Sequence, residues 1–301
     1  MYLENINSPA DVKAVGIDKL DILAGEVRKH LLQKLSDHGG HIGPNLGMVE
    51  ATVALHYVFN SPIDKMVFDV SHQSYAHKML TGRKDAFLNP AEYDEVSGYT
   101  EPSESEHDQF VVGHTSTSVS LACGLAKGRD LKGGKENVIA VIGDGSLSGG
   151  EALEGLDMAA ELDTNIIIVV NDNQMSIAEN HGGLYKNLQL LRETNGGAQC
   201  NLFKAMGLDY VYVGEGNNVK ALVEAFQKVK DTTRPVVVHI NTVKGKGYKF
   251  AEEQKERFHW GFPFVIETGE TKKSTNSVLT SEFILRKCFL TKCRKTRLWW
   301  H

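Results

Sequence analysis

Two apolar runs, Val138 to Ile142 and Ile166 to Val170, bracket one helical pattern, and this spacing constrains the fold more than any other feature. Five apolar residues without alternation read as a strand buried on both faces. A helix between two such strands makes a crossover, so the strands lie parallel. Ser148-Gly149-Gly150-Glu151 has the capping-box pattern that would start this helix. Leu153, Leu156 and Ala160 fall on its apolar face.

The same alternation continues on either side. Leu20, Leu23, Val27, Leu31 and Leu35 mark a helix over about 19–36. A Gly-rich loop, Gly39 to Asn45, follows, then a helix from Met48 to Phe59 and a buried strand from Lys65 to Val70. Residues 85–110 are polar and turn-rich, which predicts a surface loop. Gly113-His114 is expected to open a helix capped by neighbouring Ser and Thr. Tyr210 to Val213, a helix over about 219–230, and Val236 to Ile240 supply a further strand-helix-strand unit. The fold class expected is α/β, a parallel sheet covered by helices on both faces.

The chain has 301 residues, enough for one large α/β domain or two small ones. A net charge of -5 gives no reason to expect a nucleic-acid partner. The four cysteines, Cys123, Cys200, Cys288 and Cys293, form no CxxC pair and are too scattered for a disulfide framework. Cys123 reads as a core residue. Met1-Tyr2-Leu3-Glu4 is not an export signal, and no apolar run reaches a membrane span of roughly 20 residues. A cytoplasmic location follows as the expectation. Residues 1–270 form the expected domain. From Lys272 to His301 the composition turns basic, with eight Lys or Arg against Glu282 as the one acidic residue. A tail over 271–301 without periodicity is expected to be disordered or non-native rather than a basic binding arm.

The crossover ends carry chemistry. The first strand runs into Gly143-Asp144-Gly145 and the second into Asn171-Asp172-Asn173-Gln174-Met175. Asp144 and Asn173 lie 29 positions apart, one strand-helix-strand crossover, which sets a carboxylate and an amide side by side at the mouth of a parallel sheet. Mg2+ takes hard oxygens in a near-octahedral shell and shares it with phosphates. Asp144, Asn173 and the Met175 carbonyl can supply three of them. Gly145 permits close backbone approach, and the amides of Gly145 and Ser146 lie near a helix start, where an anion is favoured. A Rossmann site competes, but GDGSLS lacks the third glycine of GxGxxG. Asn171 also stands where that site wants an acid.

Gly143 to Met175 resembles the thiamine diphosphate motif of the transketolase superfamily. The segments GGHIGPNLGMVEATVALHYVFNSP (39–62), FDVSHQSYAHKMLTGRKD (68–85), VGHTSTSVSLACGLAKGRD (112–130), NDNQMSIAEN (171–180) and VKGKGYKFAE (243–252) resemble its 1-deoxy-D-xylulose-5-phosphate synthase branch, over roughly residues 20–268. The resemblance implies thiamine diphosphate and Mg2+ as cofactors. It also implies a two-carbon transfer in which pyruvate is decarboxylated and joined to glyceraldehyde 3-phosphate, or a ketol transfer between sugar phosphates as in transketolases. By the same resemblance Asp144, Asn173 and the Met175 carbonyl match metal ligands. His72, Gly113, His114, Thr115, Gly145, Ser146, Asn173 and Tyr248 match cofactor contacts. His41, His72, His114 and His259 match the histidines of the reaction centre, where a near-neutral group can bind phosphate or move a proton. A histidine taken alone is more often structural, and His77, His107 and His181 are read as structural or surface residues. Lys244 and Lys246 sit in a Gly-rich loop and can attract phosphate.

The sequence departs from that branch near the substrate channel. Ser71 stands before His72-Gln73 where the branch usually has Gly, and Gly43-Pro44-Asn45 leans towards the transketolase pattern. The stretch from Asn180 to Phe203 is short, and His259-Trp260-Gly261-Phe262 is unusual. Relatives place the cofactor between this domain and a pyrimidine domain that supplies an activating glutamate. The expected partners are therefore a pyrimidine-domain subunit or the remainder of a longer chain, and a second copy in a homo-oligomer. The competing expectations are a transketolase-like subunit and a non-catalytic fragment. The α subunit of a 2-oxo acid dehydrogenase is disfavoured by the segments around His41, His72 and His114.

Overall fold

A computed structural model describes residues 1–272. The basic tail expected at 271–301 therefore lies, from residue 273 onward, outside the described residues, as do Cys288 and Cys293. Five strands form one parallel sheet: β1 (Lys65–Phe68), β2 (Val138–Gly143), β3 (Ile167–Asp172), β4 (Asp209–Val213) and β5 (Val236–Asn241). Their order is β1-β2-β3-β5-β4.

Alternate strand residues face opposite layers. Ile139, Val141, Ile167, Val169, Val236 and Val238 pack with helices Leu20–His38, Val49–Val58 and Val219–Val229. Ala140, Ile142, Ile168, Val170 and Val237 pack with helices Ser118–Leu131 and Gly150–Leu162. The apolar runs in the sequence are continuous because both faces of the sheet are covered. Cys123 is buried in the second layer, as its surroundings in the sequence imply. Among the described residues no helix is long and apolar enough to cross a membrane.

Several local expectations shift. The Gly-rich loop at 39–45 tightens at its end into a short helix, Ile42–Gly47. Ser148 does not cap the crossover helix. The GDG turn instead coils into Asp144–Leu147, the Ser148 hydroxyl donates back to the Gly145 carbonyl at 3.1 Å, and Gly149 occupies the cap without a side-chain bond. The polar stretch 85–110 holds two short helical turns, Asp85–Leu88 and Pro90–Glu92. It also folds His107 and Asp108 inward.

The helix expected at Gly113-His114 starts only at Ser118, and no nearby hydroxyl caps it. Asp69, just past β1, does that work from a distance in sequence. Its two carboxylate oxygens each accept a backbone amide, Ser116 N and Ser118 N, both at 2.9 Å. Asp69 is buried, so Asp69→Ala strands two amides away from water. That variant is expected to lose about 2–4 kcal/mol of stability, read as a lower urea midpoint at an unchanged slope. A midpoint within error of the parent would refute the cap.

Candidate functional site

The register places the site. Gly143 on β2 pairs with Asn171 on β3, so Asp144, just past β2, and Asp172, the last residue of β3, lie side by side at the carboxyl edge of the sheet. Ligands of open parallel sheets bind outside that edge. A cleft of 1570 Å³ opens there, lined by Asp144, Asp172, Gln174, Met175, Arg192 and Lys186 among others.

Asp144 is 1% exposed, and its Oδ1 accepts the Gly145 amide at 2.9 Å. Its Oδ2 is buried with no hydrogen-bond partner. Burial, and then the Asp172 carboxylate, push the Asp144 carboxyl up to about 8. A desolvated carboxylate oxygen with nothing to neutralise it is the group a cation satisfies. Asn173, nearly buried, turns its Oδ1 to the Met175 amide at 3.1 Å, which folds Asn173 and Met175 into one tight turn. Among the described residues no three His, Cys, Asp or Glu side chains cluster as a metal cage. One carboxylate with amide and carbonyl oxygens suits Mg2+ completed by phosphate, not zinc. The residues present therefore fit a Mg2+-diphosphate group.

Asp172 is the member of this pair that stays charged. Burial opposes its ionisation, but His239 and Arg192 outweigh it and hold its carboxyl below the usual range. His239 Nε2 lies 2.9 Å from Asp172 Oδ2, and Tyr210 hydroxyl 2.8 Å from His239 Nδ1. Asp172, His239 and Arg192 were not singled out from the sequence. Asp172 sits inside the NDN motif, but its partners come from β5 and from the helix Gly183–Glu193, which no local pattern connects.

Gly145 also has a packing role that its motif does not announce. A Cβ there would stand 2.7 Å from the Ser176 Cβ. Its missing side chain therefore makes room for the turn after β3, and the two motif halves interlock.

Three of the four histidines expected at a reaction centre come together. Ring centroids are 4.9 Å apart for His41 and His72, 5.4 Å for His72 and His259, and 5.7 Å for His41 and His259. Burial pushes His41 down to about 4. Burial and Lys244 do the same to His259, and His72 is held well below its ordinary value. All three are neutral near pH 7. Lys244 lies behind them, buried, donating to the Ser176 carbonyl at 2.6 Å, with burial lowering its ammonium to about 8. Its charge acts on His72 and His259 while its ammonium is tied to the turn after β3.

The remaining positions are placed otherwise. His114 is exposed and outside the ring contacts of the trio, with Nδ1 2.8 Å from the Thr115 carbonyl. Gly113 and Thr115 are exposed beside it. Ser116 ties this segment to the GDG turn by donating to the Ser146 carbonyl at 2.7 Å. Tyr248 is buried among Phe250, Phe258 and Phe264, and its hydroxyl donates to the Ile266 carbonyl at 3.0 Å. Lys246 is half-buried and offers its carbonyl to Arg28. Neither His77 nor His107 is a surface residue: His77 is fully buried against Asp108, and His107 is buried beside the Ser61 hydroxyl. His181 is exposed at the cleft.

The sequence model of a family described as 1-deoxy-D-xylulose-5-phosphate synthase matches residues 3–200 and 193–242. A 1-deoxy-D-xylulose-5-phosphate synthase of Caldanaerobacter subterraneus is 43% identical over 304 residues, covering 89% of this chain and 49% of the relative. One from Geobacter sulfurreducens is 42% identical over 308 residues, covering 90% and 48%. The chain thus spans about half the length of the curated relatives it matches. Among solved structures, a transketolase from Campylobacter jejuni superposes with a TM-score of 0.65 at 20% identity, over 80% of this chain and 40% of that one. A transketolase from Leishmania mexicana gives 0.61 at 20% identity, over 93% and 46%. These two likenesses speak for the fold alone.

Proposed function

This chain belongs to the 1-deoxy-D-xylulose-5-phosphate synthase family, and from that membership we propose that it supplies the diphosphate and Mg2+ half of a thiamine diphosphate-dependent transferase. The reaction we assign is the condensation of pyruvate with glyceraldehyde 3-phosphate, in the cytoplasm. The observation that carries the reading is the buried, unpartnered Asp144 oxygen at the carboxyl end of β2, beside the Asn173 turn.

Asp144, the Asn173 amide oxygen and the Met175 carbonyl would hold the metal. The amides of Gly145 and Ser146, with His72, Gly113, His114, Thr115 and Tyr248, are the positions we assign to the cofactor. Thiamine diphosphate, when bound, would supply a carbon nucleophile for the keto group and, in its cationic ring, the sink for the electron pair released by decarboxylation. His41, His72 and His259, neutral in the fold, would accept or pass the proton of a hydroxyl at the substrate carbon; His114 would join them only if its exposed segment closes. Lys244 places a positive charge near the trio, where an acidic substrate gains most from it. Val111, Ile177, Trp260 and Phe262 are exposed apolar residues. We assign such surface to a pyrimidine-binding domain, from a separate subunit or the rest of a longer polypeptide, within a homo-oligomer.

The test mixes this chain with the pyrimidine-domain portion of a homologous synthase, Mg2+ and thiamine diphosphate. Pyruvate-dependent CO2 release that requires both proteins and responds to glyceraldehyde 3-phosphate is the expected result. Turnover of ketose phosphates without pyruvate would favour a transketolase-like activity. No turnover in the mixture, with the cofactor bound, would favour a non-catalytic product.

A further inference from the structure

Two consecutive residues at the end of β1 hold a backbone conformation that L residues rarely adopt. Val70 has φ 57° and Ser71 φ 64°. For a β-branched valine this is a genuine outlier, and such residues persist only where their surroundings over-determine them. The surroundings here are specific. Asp69 is fixed by the amides of Ser116 and Ser118, and its carbonyl accepts the Gln73 side chain at 3.0 Å. Ser71 is fully buried, and its hydroxyl makes two bonds to another segment. It donates to the Val112 carbonyl at 2.9 Å and accepts the Thr100 amide at 2.9 Å.

That segment carries Tyr99, whose ring stands edge-on to His41 at 6.0 Å between centroids. The two residues after Tyr99 are both captured. Thr100 N goes to Ser71, and Glu101 N goes to the buried Asp108 carboxylate at 2.7 Å. Asp108 is in turn gripped by Arg83 at 2.7 and 2.9 Å and by His77 at 2.9 Å. On the other side the Tyr75 hydroxyl packs between backbones: a Cβ at Gly40, before His41, would stand 3.1 Å from it, and one at Gly98, before Tyr99, 3.2 Å. Tyr99 is therefore located relative to His41 and His72 from three directions.

We infer that Ser71 is a positioning residue: its hydroxyl couples the strained turn that aims His72 to the segment that sets Tyr99 as a wall of the histidine pocket. The inference takes that pocket as the reaction centre from the function proposed above. A glycine at 71 would adopt the same φ without cost but would leave Thr100 N and Val112 O without the hydroxyl.

The experiment needs neither cofactor nor substrate, so it stands or falls separately from the proposed activity. Ser71→Ala and Ser71→Gly are compared with the parent in the 301-residue chain. Hydrogen exchange over residues 97–112 reports the segment, and carbethoxylation by diethyl pyrocarbonate reports each histidine by mass. In both variants exchange at 97–112 is expected to rise about tenfold, the worth of one buried hydrogen bond. Protection of β2 and β3 should be unchanged. Carbethoxylation of His41 and His72 should rise by a similar factor relative to the exposed His181. Tyr99→Ala should expose His41 to the reagent without loosening Thr100. Two results would overturn the coupling. One is unchanged exchange at 97–112 in Ser71→Gly, which would reduce Ser71 to a backbone turn. The other is a loosened segment with unaltered reactivity of His41 and His72. Should Ser71→Ala fail to fold, Ser71→Gly, which relieves the turn, decides alone.

Discussion

Asp144→Ala is expected to abolish Mg2+-dependent binding of thiamine diphosphate to this chain. Losing even an outer partner of a metal ligand costs 10–100-fold, so losing the one carboxylate among the proposed ligands should cost at least about a hundredfold. Titration calorimetry with Mg2+ and thiamine diphosphate reads the loss directly. A second consequence separates a metal site from a structural carboxylate. Asp144 Oδ2 has no partner, and Asp172 lies beside it. Above about pH 8, where Asp144 is charged beside Asp172, Asp144→Asn removes a desolvated like charge, so the ligand-free variant should unfold at a higher temperature than the parent. A structural carboxylate would behave the opposite way. Mg2+ binding that survives in either variant would sink the assignment.

Acid should unfold this protein early, and the histidines decide where. His41, His107 and His259 are pushed down to about 4, and His56 and His72 well below their ordinary value, all chiefly by burial. A histidine with a lowered folded pKa favours the fold while the unfolded chain is neutral, above about pH 6.5. That contribution is lost as pH falls from about 6.5 towards 4. Asp108 acts later. Burial opposes its charge, but His77 and Arg83 outweigh it and hold its carboxyl far below the usual range. Its contribution is present above the ordinary carboxylate pKa and is lost only on further acidification. Urea unfolding should therefore show a loss on the order of 3 kcal/mol between pH 7.5 and 5. Asp108→Asn should cost about 3–5 kcal/mol at pH 7.5, because His77 loses its carboxylate and the buried Arg83 is left with Glu104 alone. A stability independent of pH across that window would contradict the burial of the histidines.

The sheet was legible because its signal is local. Continuous runs such as Val138 to Ile142 can be buried only between two layers, and the crossover between them forces parallel strands. Asp144 and Asn173 were legible for the same reason, since one crossover of known length ends at both. The sequence also placed His41, His72 and His259 in motifs that the structure brings into one pocket. It could not separate His114 from them, because exposure depends on how residues 113–116 lie over the GDG turn.

Other features needed the third dimension. Ser148 has the right spacing for a cap, yet the chain coils early into Asp144–Leu147 and the Ser148 hydroxyl turns back to the Gly145 carbonyl. Asp69 caps a helix that begins 49 positions later. Tyr248 packs against Phe258 and Phe264, neighbours that its own motif does not name. His77 and Asp108 meet across 31 positions as a buried hydrogen-bonded pair. Periodicity and motif spacing report what a residue does within one or two turns of chain, so the sequence by itself determined the layers, the strand direction and the edge that carries the site. Which carboxylate stays charged, which histidines share a pocket and what holds Tyr99 beside them were decided by contacts between segments. Their energies depend on burial and distance, which exist only once the chain has folded.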